Sequence, residues 1–265
     1  MRVGVLGATG RMGRSSCRAV LQAGDLELVA AVARGAAGAE LRDLVTEAPA
    51  RLRVRGGAED LLDAKAEVVI DFSAPEATLA AARLLLPAGV HVVSGTTGLP
   101  AASTEELASL AGPQDAGNVV WAPNFALGAV LAQRFATIAA RFYPAAEVIE
   151  LHHAGKADAP SGTALRTARA IAEARRRPDS PVPPGRELVT GARGGEVEGV
   201  RVHSVRLPGL VAHQEVIFGG EGELLTLRHD SLDRSSFMPG VLLCVREVAN
   251  RPGLTVGLEP MLDLE

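Results

Sequence analysis

The stretch Arg2-Val-Gly-Val-Leu-Gly-Ala-Thr-Gly-Arg-Met-Gly13 determines how the chain begins to fold. Its first half, Arg2 to Leu6, is a short apolar run that predicts a buried strand. A helical pattern follows from about Arg14 to Ala23, and Leu26 to Val32 is predicted to form a second strand. A βαβ unit opened by a glycine-rich turn is the context of a dinucleotide-binding fingerprint, because the glycines let the backbone approach a pyrophosphate and the helix N-terminus favours its charge.

The glycine spacing departs from the plain G-x-G-x-x-G pattern. If Gly7 is the first glycine, Thr9 and Met12 occupy the second and third glycine positions. The spacing alone leaves open a merely tight strand–helix turn, but the location directly after the first strand favours cofactor binding. The predicted cofactor-binding residues of this turn are Gly7, Ala8, Thr9, Gly10, Arg11 and Met12.

The end of the second strand indicates which dinucleotide would bind. An acidic residue there would hold the ribose 2′-hydroxyl of NAD, but the strand ends Ala31-Val-Ala-Arg34, and Asp25 and Glu27 lie at its other end. Arg34 is placed to meet a 2′-phosphate instead. The sequence therefore predicts NADPH as the preferred cofactor and leaves NADH open. The alternative for Arg34 is an exposed arginine in a loop.

The alternation of strands and helices continues through the first half of the chain. Strands are predicted at Val68 to Phe72, His91 to Ser94 and Val119 to Ala122. Ligands bind at the edge where parallel strands end, so the loops after the last two strands should flank the nicotinamide half of a cofactor. By spacing alone each loop could equally be an ordinary turn. The predicted residues are Gly95, Thr96, Thr97, Ala122, Pro123, Asn124 and Phe125.

The pattern changes after an apolar helix predicted at Phe125 to Phe142. Four strands follow with one intervening helix, which is typical of an α+β domain with a mixed or antiparallel sheet: Val148 to Leu151, Val200 to Leu207, Val211 to Phe218 and Leu224 to His229. The predicted fold class is α/β. An N-terminal Rossmann-type dinucleotide-binding domain, residues 1–124, is completed by residues 237–265. A second α+β domain, residues 125–236, is predicted to bind substrate and to mediate oligomerisation.

Composition limits the remaining classes of function. Hydrophobic residues make up 47% of the 265, and the net charge of -4 gives no basic excess to hold nucleic acid. No apolar run reaches the ~18 residues of a membrane span, and the N-terminus lacks a signal-peptide pattern. Cys17 and Cys244 make neither a disulfide framework nor a zinc site. We therefore expect a cytoplasmic protein with no metal, no nucleic-acid partner and no membrane partner.

A second stretch concentrates titratable groups on one loop: Glu150-Leu-His-His-Ala-Gly-Lys-Ala-Asp-Ala-Pro-Ser-Gly-Thr163. Histidine can give and take a proton near neutrality, and a lysine four residues further on can face the same anion. Amides at Gly162 and Thr163 would open a helix and offer a carboxylate site. The alternative for the two histidines is a strand-end pair with structural hydrogen bonds. Asp158 could orient Lys156 or stabilise the turn before Pro160, and the sequence leaves both open.

This loop resembles the signature of the 4-hydroxy-tetrahydrodipicolinate reductase family, also called dihydrodipicolinate reductase. The resemblance spans nearly the whole chain. It includes Gly7-Ala-Thr-Gly-Arg-Met-Gly13, Asp71-Phe-Ser73, Gly95-Thr-Thr-Gly98 and Pro123-Asn-Phe125, in the order of the family. The resemblance implies that NAD(P)H delivers a hydride to a small cyclic dicarboxylate, with loss of the 4-hydroxyl as water, in the diaminopimelate pathway to lysine.

The same resemblance implies roles for individual residues. His152 would be the general acid/base and Lys156 the proton donor, His153 would bind substrate, and Gly162 and Thr163 would hold one carboxylate. It also implies a homotetramer assembled through the sheet of the second domain. Many members carry an acidic residue where this chain has alanine at position 33, so the use of both cofactors is in doubt. The alternative function is an NADP-sensing, Rossmann-type regulatory protein, which would have no need of the histidine and lysine beside a carboxylate pocket.

Overall fold

The computed structural model describes residues 1–175 and 186–262, and the following elements lie within them. The strands are β1 (Arg2–Leu6), β2 (Glu27–Val32), β3 (Val54–Arg55), β4 (Val68–Asp71), β5 (His91–Ser94), β6 (Val119–Trp121), β7 (Ala145–His152), β8 (Gly195–Val197), β9 (Val200–Arg206), β10 (Ala212–Gly220), β11 (Glu223–Ser231) and β12 (Leu254–Val256). The α-helices are α1 (Arg11–Gln22), α2 (Glu59–Asp63), α3 (Pro75–Leu85), α4 (Ala101–Ala111), α5 (Leu127–Ala139), α6 (Gly162–Ala174) and α7 (Met238–Glu247). None of these helices is long and apolar enough to cross a bilayer.

The chain divides into two compact units, and the first contains residues 1–126 together with the described residues from 237 onward. Its seven-stranded sheet has the order β12-β6-β5-β4-β1-β2-β3, with every pairing parallel. The strands at the centre are apolar on both faces, and Val3, Val5, Val69 and Ile70 are fully buried. Such strands are typical of a parallel sheet covered by helices on both faces.

The second unit, residues 127–236, contains a five-stranded mixed sheet of order β11-β10-β7-β9-β8. The central strand β7 pairs antiparallel with β10 and parallel with β9. Burial alternates along β7, and its inward side chains, such as Ala146 and Val148, share one apolar core with α5 and α6. The predicted fold class, a Rossmann-type α/β domain with a second α+β domain, is therefore confirmed.

The differences from the predicted elements are confined to ends and to short elements. The helix predicted at Phe125 to Phe142 is shorter, because the Asn124 side chain accepts the Ala126 amide in a turn that precedes α5. Helix α7 ends at Glu247 and passes into a 3₁₀ turn, Val248–Asn250. Both cysteines are buried, and burial raises the pKa of each thiol to about 12, so neither is poised to react.

Candidate active site

The turn after β1 contains three glycines, and each has a different role in its structure. Gly7 has φ +78°, and a Cβ there would lie 2.6 Å from the carbonyl oxygen of Phe72. A Cβ at Gly13 would overlap the carbonyl of Gly7, so this glycine lets α1 pack against the turn. Gly10 is the N-cap of α1 and provides no side-chain cap, which leaves the first amides of the helix available to an anion. The glycines that shape this turn are therefore Gly7, Gly10 and Gly13, each three positions after the one before.

The other predicted residues of the turn lie around these glycines. Ala8 is buried, Thr9 and Met12 are half-buried, and Arg11 is exposed at the start of α1. The amides of Gly7 and Ala8 both donate to the carbonyl of Val32, at 2.9 and 3.1 Å, so the turn is tied to the end of β2.

A cleft of 740 Å³ opens beside this turn in the first unit. Gly7 and Thr9 line it, together with Ala33 and Arg34 at the end of β2. Arg34 is exposed and begins a 3₁₀ turn, Arg34–Ala36. The cleft also has a wall that the sequence prediction missed, formed by the loop between β3 and α2 and by the first turns of α3: Gly56, Gly57, Ala58, Glu59, Glu76, Ala77 and Ala80.

The predicted nicotinamide loops meet where β4, β5 and β6 end. Gly95 lies against the ring of Phe72, at a place where any Cβ would overlap that ring. Phe72 and Phe125 make an edge-to-face contact with ring centroids 5.8 Å apart. The Trp121 indole N–H donates to the carbonyl of Thr96 at 2.9 Å. These contacts join the ends of β4, β5 and β6 to one another.

The remaining members of these loops are more accessible. Thr97 and Pro123 are exposed, and Asn124 is half-buried. Ala122 is buried and donates its amide to the carbonyl of Ser94 at 3.0 Å, which holds the two loops side by side.

A buried carboxylate, Asp71 at the end of β4, fixes this arrangement. One of its oxygens accepts the amide and the hydroxyl of Ser73, at 3.0 and 2.5 Å. The other accepts hydroxyls from Thr78, Ser94 and Thr96, at 2.5, 2.8 and 3.1 Å. Asp71 is 1% exposed, and its hydrogen bonds join α3 to the loops after β4 and β5.

The titratable loop begins at the carboxyl end of β7. The His152 Nδ1 lies 2.5 Å from a carboxylate oxygen of Glu150, and both side chains project from the inward face of the strand. Burial lowers the pKa of His152, although the Glu150 carboxylate raises it in part. The ring is therefore neutral at pH 7, with one nitrogen held by Glu150.

Glu150 is fully buried and paired with Arg206, a residue that the sequence prediction did not include. The guanidinium forms a two-pronged contact, at 2.7 and 2.9 Å to the two oxygens. Arg206 comes to this place because β9 runs parallel to β7 with Arg206 opposite His152. Burial raises the pKa of the Glu150 carboxyl, but hydrogen bonds from Arg206 and Ser204 outweigh burial and lower it.

Lys156 lies on the loop after β7, with 23% of its side chain exposed. Its Nζ donates to both carboxylate oxygens of Asp158, at 2.7 and 2.9 Å. The carbonyl of Asp158 accepts from Arg206 at 2.7 Å. Of the two roles left open for Asp158, the structure shows contact with Lys156, and this contact lowers the pKa of the Asp158 carboxyl.

The predicted substrate-binding residues follow on the same loop. His153 is exposed. Ser161 is the N-cap of α6, and its hydroxyl accepts the Ala164 amide at 3.2 Å. Gly162 and Thr163 are the first two residues of α6, so their amides have no partner within the helix and can meet a carboxylate. The structure therefore gathers a neutral histidine, a lysine and a helix N-terminus within one unit.

The chain matches two family models that together cover nearly all of it. Residues 1–125 match the model described as dihydrodipicolinate reductase, N-terminus, and residues 128–262 match the model for its C-terminus. The change from one to the other falls next to the boundary between the two compact units, at residue 126.

Relatives of known name resemble the chain over its full length. The 4-hydroxy-tetrahydrodipicolinate reductase of Nocardia farcinica is 54% identical over 267 residues, covering 100% of this chain and 99% of that protein. The reductase of the same name from Mycobacterium marinum is 50% identical over 269 residues, covering 100% of both. The solved structure of a dipicolinate-bound dihydrodipicolinate reductase from Paenisporosarcina sp. TG-14 is 40% identical, with a TM-score of 0.86 and 99% of each chain covered.

Proposed function

The chain belongs to the dihydrodipicolinate reductase family, and on this premise we propose that it reduces 4-hydroxy-tetrahydrodipicolinate to tetrahydrodipicolinate with NAD(P)H and releases water. The reaction belongs to diaminopimelate and lysine biosynthesis, and a cytoplasmic location is part of the proposal. The observation that carries the proposal is one loop on which the neutral His152, Lys156 and the open helix N-terminus at Gly162 lie together.

The cofactor would lie along the first unit. Its residues fit a dinucleotide, because Gly7 and Gly13 allow the close packing of the turn against α1. The helix begins at Gly10 without a side-chain cap, so its first amides can meet a pyrophosphate. The exposed Arg34 lines the neighbouring cleft where Ala33 offers no carboxylate, which supports NADPH as the preferred cofactor. When bound, the reduced nicotinamide supplies the hydride. Thr97, Asn124 and the other members of the strand-end loops are the proposed neighbours of the nicotinamide half.

The second unit would hold the substrate and move the protons. The amides of Gly162 and Thr163, with His153, would bind a carboxylate of the substrate. The neutral His152 would take a proton from the ring carbon beside the hydroxyl-bearing carbon, while Lys156 protonates the leaving hydroxyl. After the hydride reaches the carbon that lost the hydroxyl, His152 would return its proton to the neighbouring carbon. Lys156 would regain one proton from solvent, so the ring gains one hydride and one proton and loses one water.

A homotetramer formed through the five-stranded sheet is part of the same proposal. One face of the sheet is covered by α5 and α6, whereas Ile149 and Ile217 on the other face stay partly exposed. An uncovered sheet face with apolar side chains favours association with a second copy. Light scattering should give four times the 27.4 kDa of one chain, and the mass of a single chain would refute the assembly.

The experiment for the activity follows NADPH oxidation with freshly generated 4-hydroxy-tetrahydrodipicolinate. We expect turnover by the native protein, and a loss of ~10²-fold or more in His152→Gln and in Lys156→Ala, because each removes one proton-transfer group. Lys65→Gln is the control, since it removes the other, exposed lysine of the chain. An inactive native protein would overturn the function, and near-native turnover in both site variants would overturn the mechanism.

A further inference from the structure

Glu150 is a buried carboxylate to which the proposed proton transfers assign no role. Its side chain has no exposed surface, and it projects into the unit beside the start of α6. An unpaired carboxylate in this position would be strongly destabilising, so its partners show what keeps it there.

Besides the Ser204 hydroxyl, four donor atoms surround this carboxylate. One oxygen accepts from an Arg206 guanidinium nitrogen at 2.7 Å and from the Ser161 amide at 3.2 Å. The other oxygen accepts from the second guanidinium nitrogen at 2.9 Å and lies 2.5 Å from the His152 Nδ1. A two-pronged arginine contact and a backbone N–H both stabilise the ionised form. The carboxyl pKa is accordingly lowered, although burial opposes this.

An ionised carboxylate can only accept hydrogen bonds, so the His152 Nδ1 must carry the proton in this contact. In the neutral ring the lone pair then lies on Nε2. We propose that Glu150 and Arg206 are positioning residues that fix His152 in the Nδ1–H tautomer and so make Nε2 the atom that exchanges a proton with the substrate. The substrate-facing half of this inference rests on the proposed function, whereas the tautomer does not.

Arg206 connects the two proton-transfer side chains. The guanidinium nitrogen that contacts Glu150 at 2.7 Å also donates to the carbonyl of Asp158 at 2.7 Å, and the Asp158 carboxylate holds Lys156. The same guanidinium therefore orients His152 through Glu150 and the lysine through the backbone of the loop. Loss of its fork geometry should disturb both groups together.

The charges around His152 determine how its titration responds. Burial lowers the His152 pKa most, Glu150 on its own strand raises it, and Lys156 on the following loop and Arg206 on β9 lower it further. Asp158 is paired with Lys156 on the same loop. Because the pKa of His152 is lowered, its base form is present above that value and is lost as the pH falls through it. The acid limb of kcat/KM, which reports the free protein, should therefore lie below about 6.5 in the native protein.

Selective ¹⁵N labelling of histidine tests the tautomer directly. Long-range ¹H–¹⁵N correlations at about pH 8, well above the ordinary histidine pKa of about 6.5, report which ring nitrogen carries the proton. The His152 signal among the six histidines is identified by its loss in His152→Gln. We expect the Nδ1–H form in the native protein, and the Nε2–H form would overturn the inference without any variant of Glu150.

Glu150→Gln tests the cause. The amide oxygen would accept from Arg206 and Ser161, which leaves the amide N–H₂ facing Nδ1 and inverts the tautomer of His152. We expect the Nε2–H signal, a loss of kcat of ~10²-fold and an acid limb moved to lower pH, because the charge that raises the His152 pKa is gone. Native kcat with an unchanged tautomer would overturn the proposal.

Two further variants separate positioning from general damage. Glu147→Gln is the matched control, since Glu147 contacts His203 at 2.7 Å and Arg193 at 3.3 Å from the opposite face of β7. At an unchanged assembly mass it should keep the native kcat and acid limb, and a loss equal to that of Glu150→Gln would count against the proposal. Arg206→Lys keeps a positive charge beside Glu150 but loses the fork, so it should lower kcat at least as far as Glu150→Gln does, and native kcat would overturn the role of Arg206. If the native protein does not turn over the substrate, the proposed function fails while the tautomer result still stands.

Discussion

Arg34 is the residue on which the proposed preference for NADPH depends. It is exposed, it lines the cleft beside the glycine turn, and it follows Ala33 at the place where an acidic residue would hold a ribose hydroxyl. A guanidinium there would contact the proposed 2′-phosphate through charge-assisted hydrogen bonds, which are worth about 1.5–3 kcal/mol, or roughly 10–100-fold in affinity.

Arg34→Ala is therefore expected to weaken NADPH binding by roughly 10–100-fold and to leave NADH binding close to that of the native protein. Fluorescence titration with each cofactor measures both constants. Arg42→Ala is the control, because Arg42 is exposed in a neighbouring 3₁₀ turn, Leu41–Asp43, and does not line the cleft. An equal loss of affinity for both cofactors would show that Arg34 does not contact the 2′-phosphate.

Single residues differ in how far the sequence could place them. His152 and Lys156 lie four positions apart on one loop, so a pattern along the chain is enough to associate them. Arg206 lies 56 positions from Glu150, and only the parallel register of β7 and β9 brings them together. The sequence did contain one indication that a residue such as Arg206 was needed. Glu150 is a charged residue on the inward face of an apolar strand, and a buried carboxylate requires a cation nearby.

At the scale of elements, Asp71 is the point on which the strand-end loops depend. Its five hydrogen bonds reach α3 and the loops after β4 and β5. Because both carboxylate oxygens accept from several donors, an amide N–H₂ in place of either oxygen would face other donors. The loop that carries Thr96 and Thr97 would then lose its fixed position.

We expect Asp71→Asn to destabilise the first unit by about 1–3 kcal/mol, the cost of leaving buried donors without an acceptor. It should also raise the KM for NADPH, since the Thr96 loop is a proposed neighbour of the nicotinamide. Thermal unfolding and steady-state kinetics measure the two effects. Asp63→Asn changes an exposed aspartate at the end of α2 and should leave both unchanged. Native stability and KM in the Asp71 variant would show that the network does not hold the loop.

The elements that the sequence predicted have a local signal, either a periodic pattern or an apolar run such as Val119 to Ala122 for β6. The eight residues of β7 alternate in burial, and the twelve of α1 follow a glycine turn, so each has a local signal. The two-residue strand β3 and the three-residue strands β8 and β12 were not predicted. They are too short to show a period, and they are strands because a neighbouring strand offers free backbone groups.

For the whole molecule, the first unit is built from both ends of the chain. Strand β12 pairs with β6, and the Asn118 side chain donates to the carbonyls of Val248 and Ala249, at 3.0 and 3.2 Å. The Arg246 guanidinium contacts both oxygens of Asp25 at 2.8 and 2.9 Å, across 221 positions of sequence. The unit is therefore complete only after the last helix has folded back onto the first 126 residues.

Adding one methyl group at Gly240 tests whether the first unit depends on the packing of α7. A Cβ at Gly240 in α7 would overlap the carbonyl of Phe125, so the helix can pack here only because this residue is glycine. In an exposed helix, a glycine-to-alanine change would stabilise the fold by about 1 kcal/mol. Overpacking of a buried contact costs about 1–3 kcal/mol, so the net effect at Gly240 should be destabilising. We expect Gly240→Ala to lower the unfolding midpoint by roughly 2–4 °C for each kcal/mol, measured by calorimetry. Gly24→Ala is the matched control, because a Cβ there meets open space. Equal midpoints for the two variants would mean that α7 can shift away from Phe125 at little cost, and that the C-terminal segment is not held as tightly as its contacts indicate.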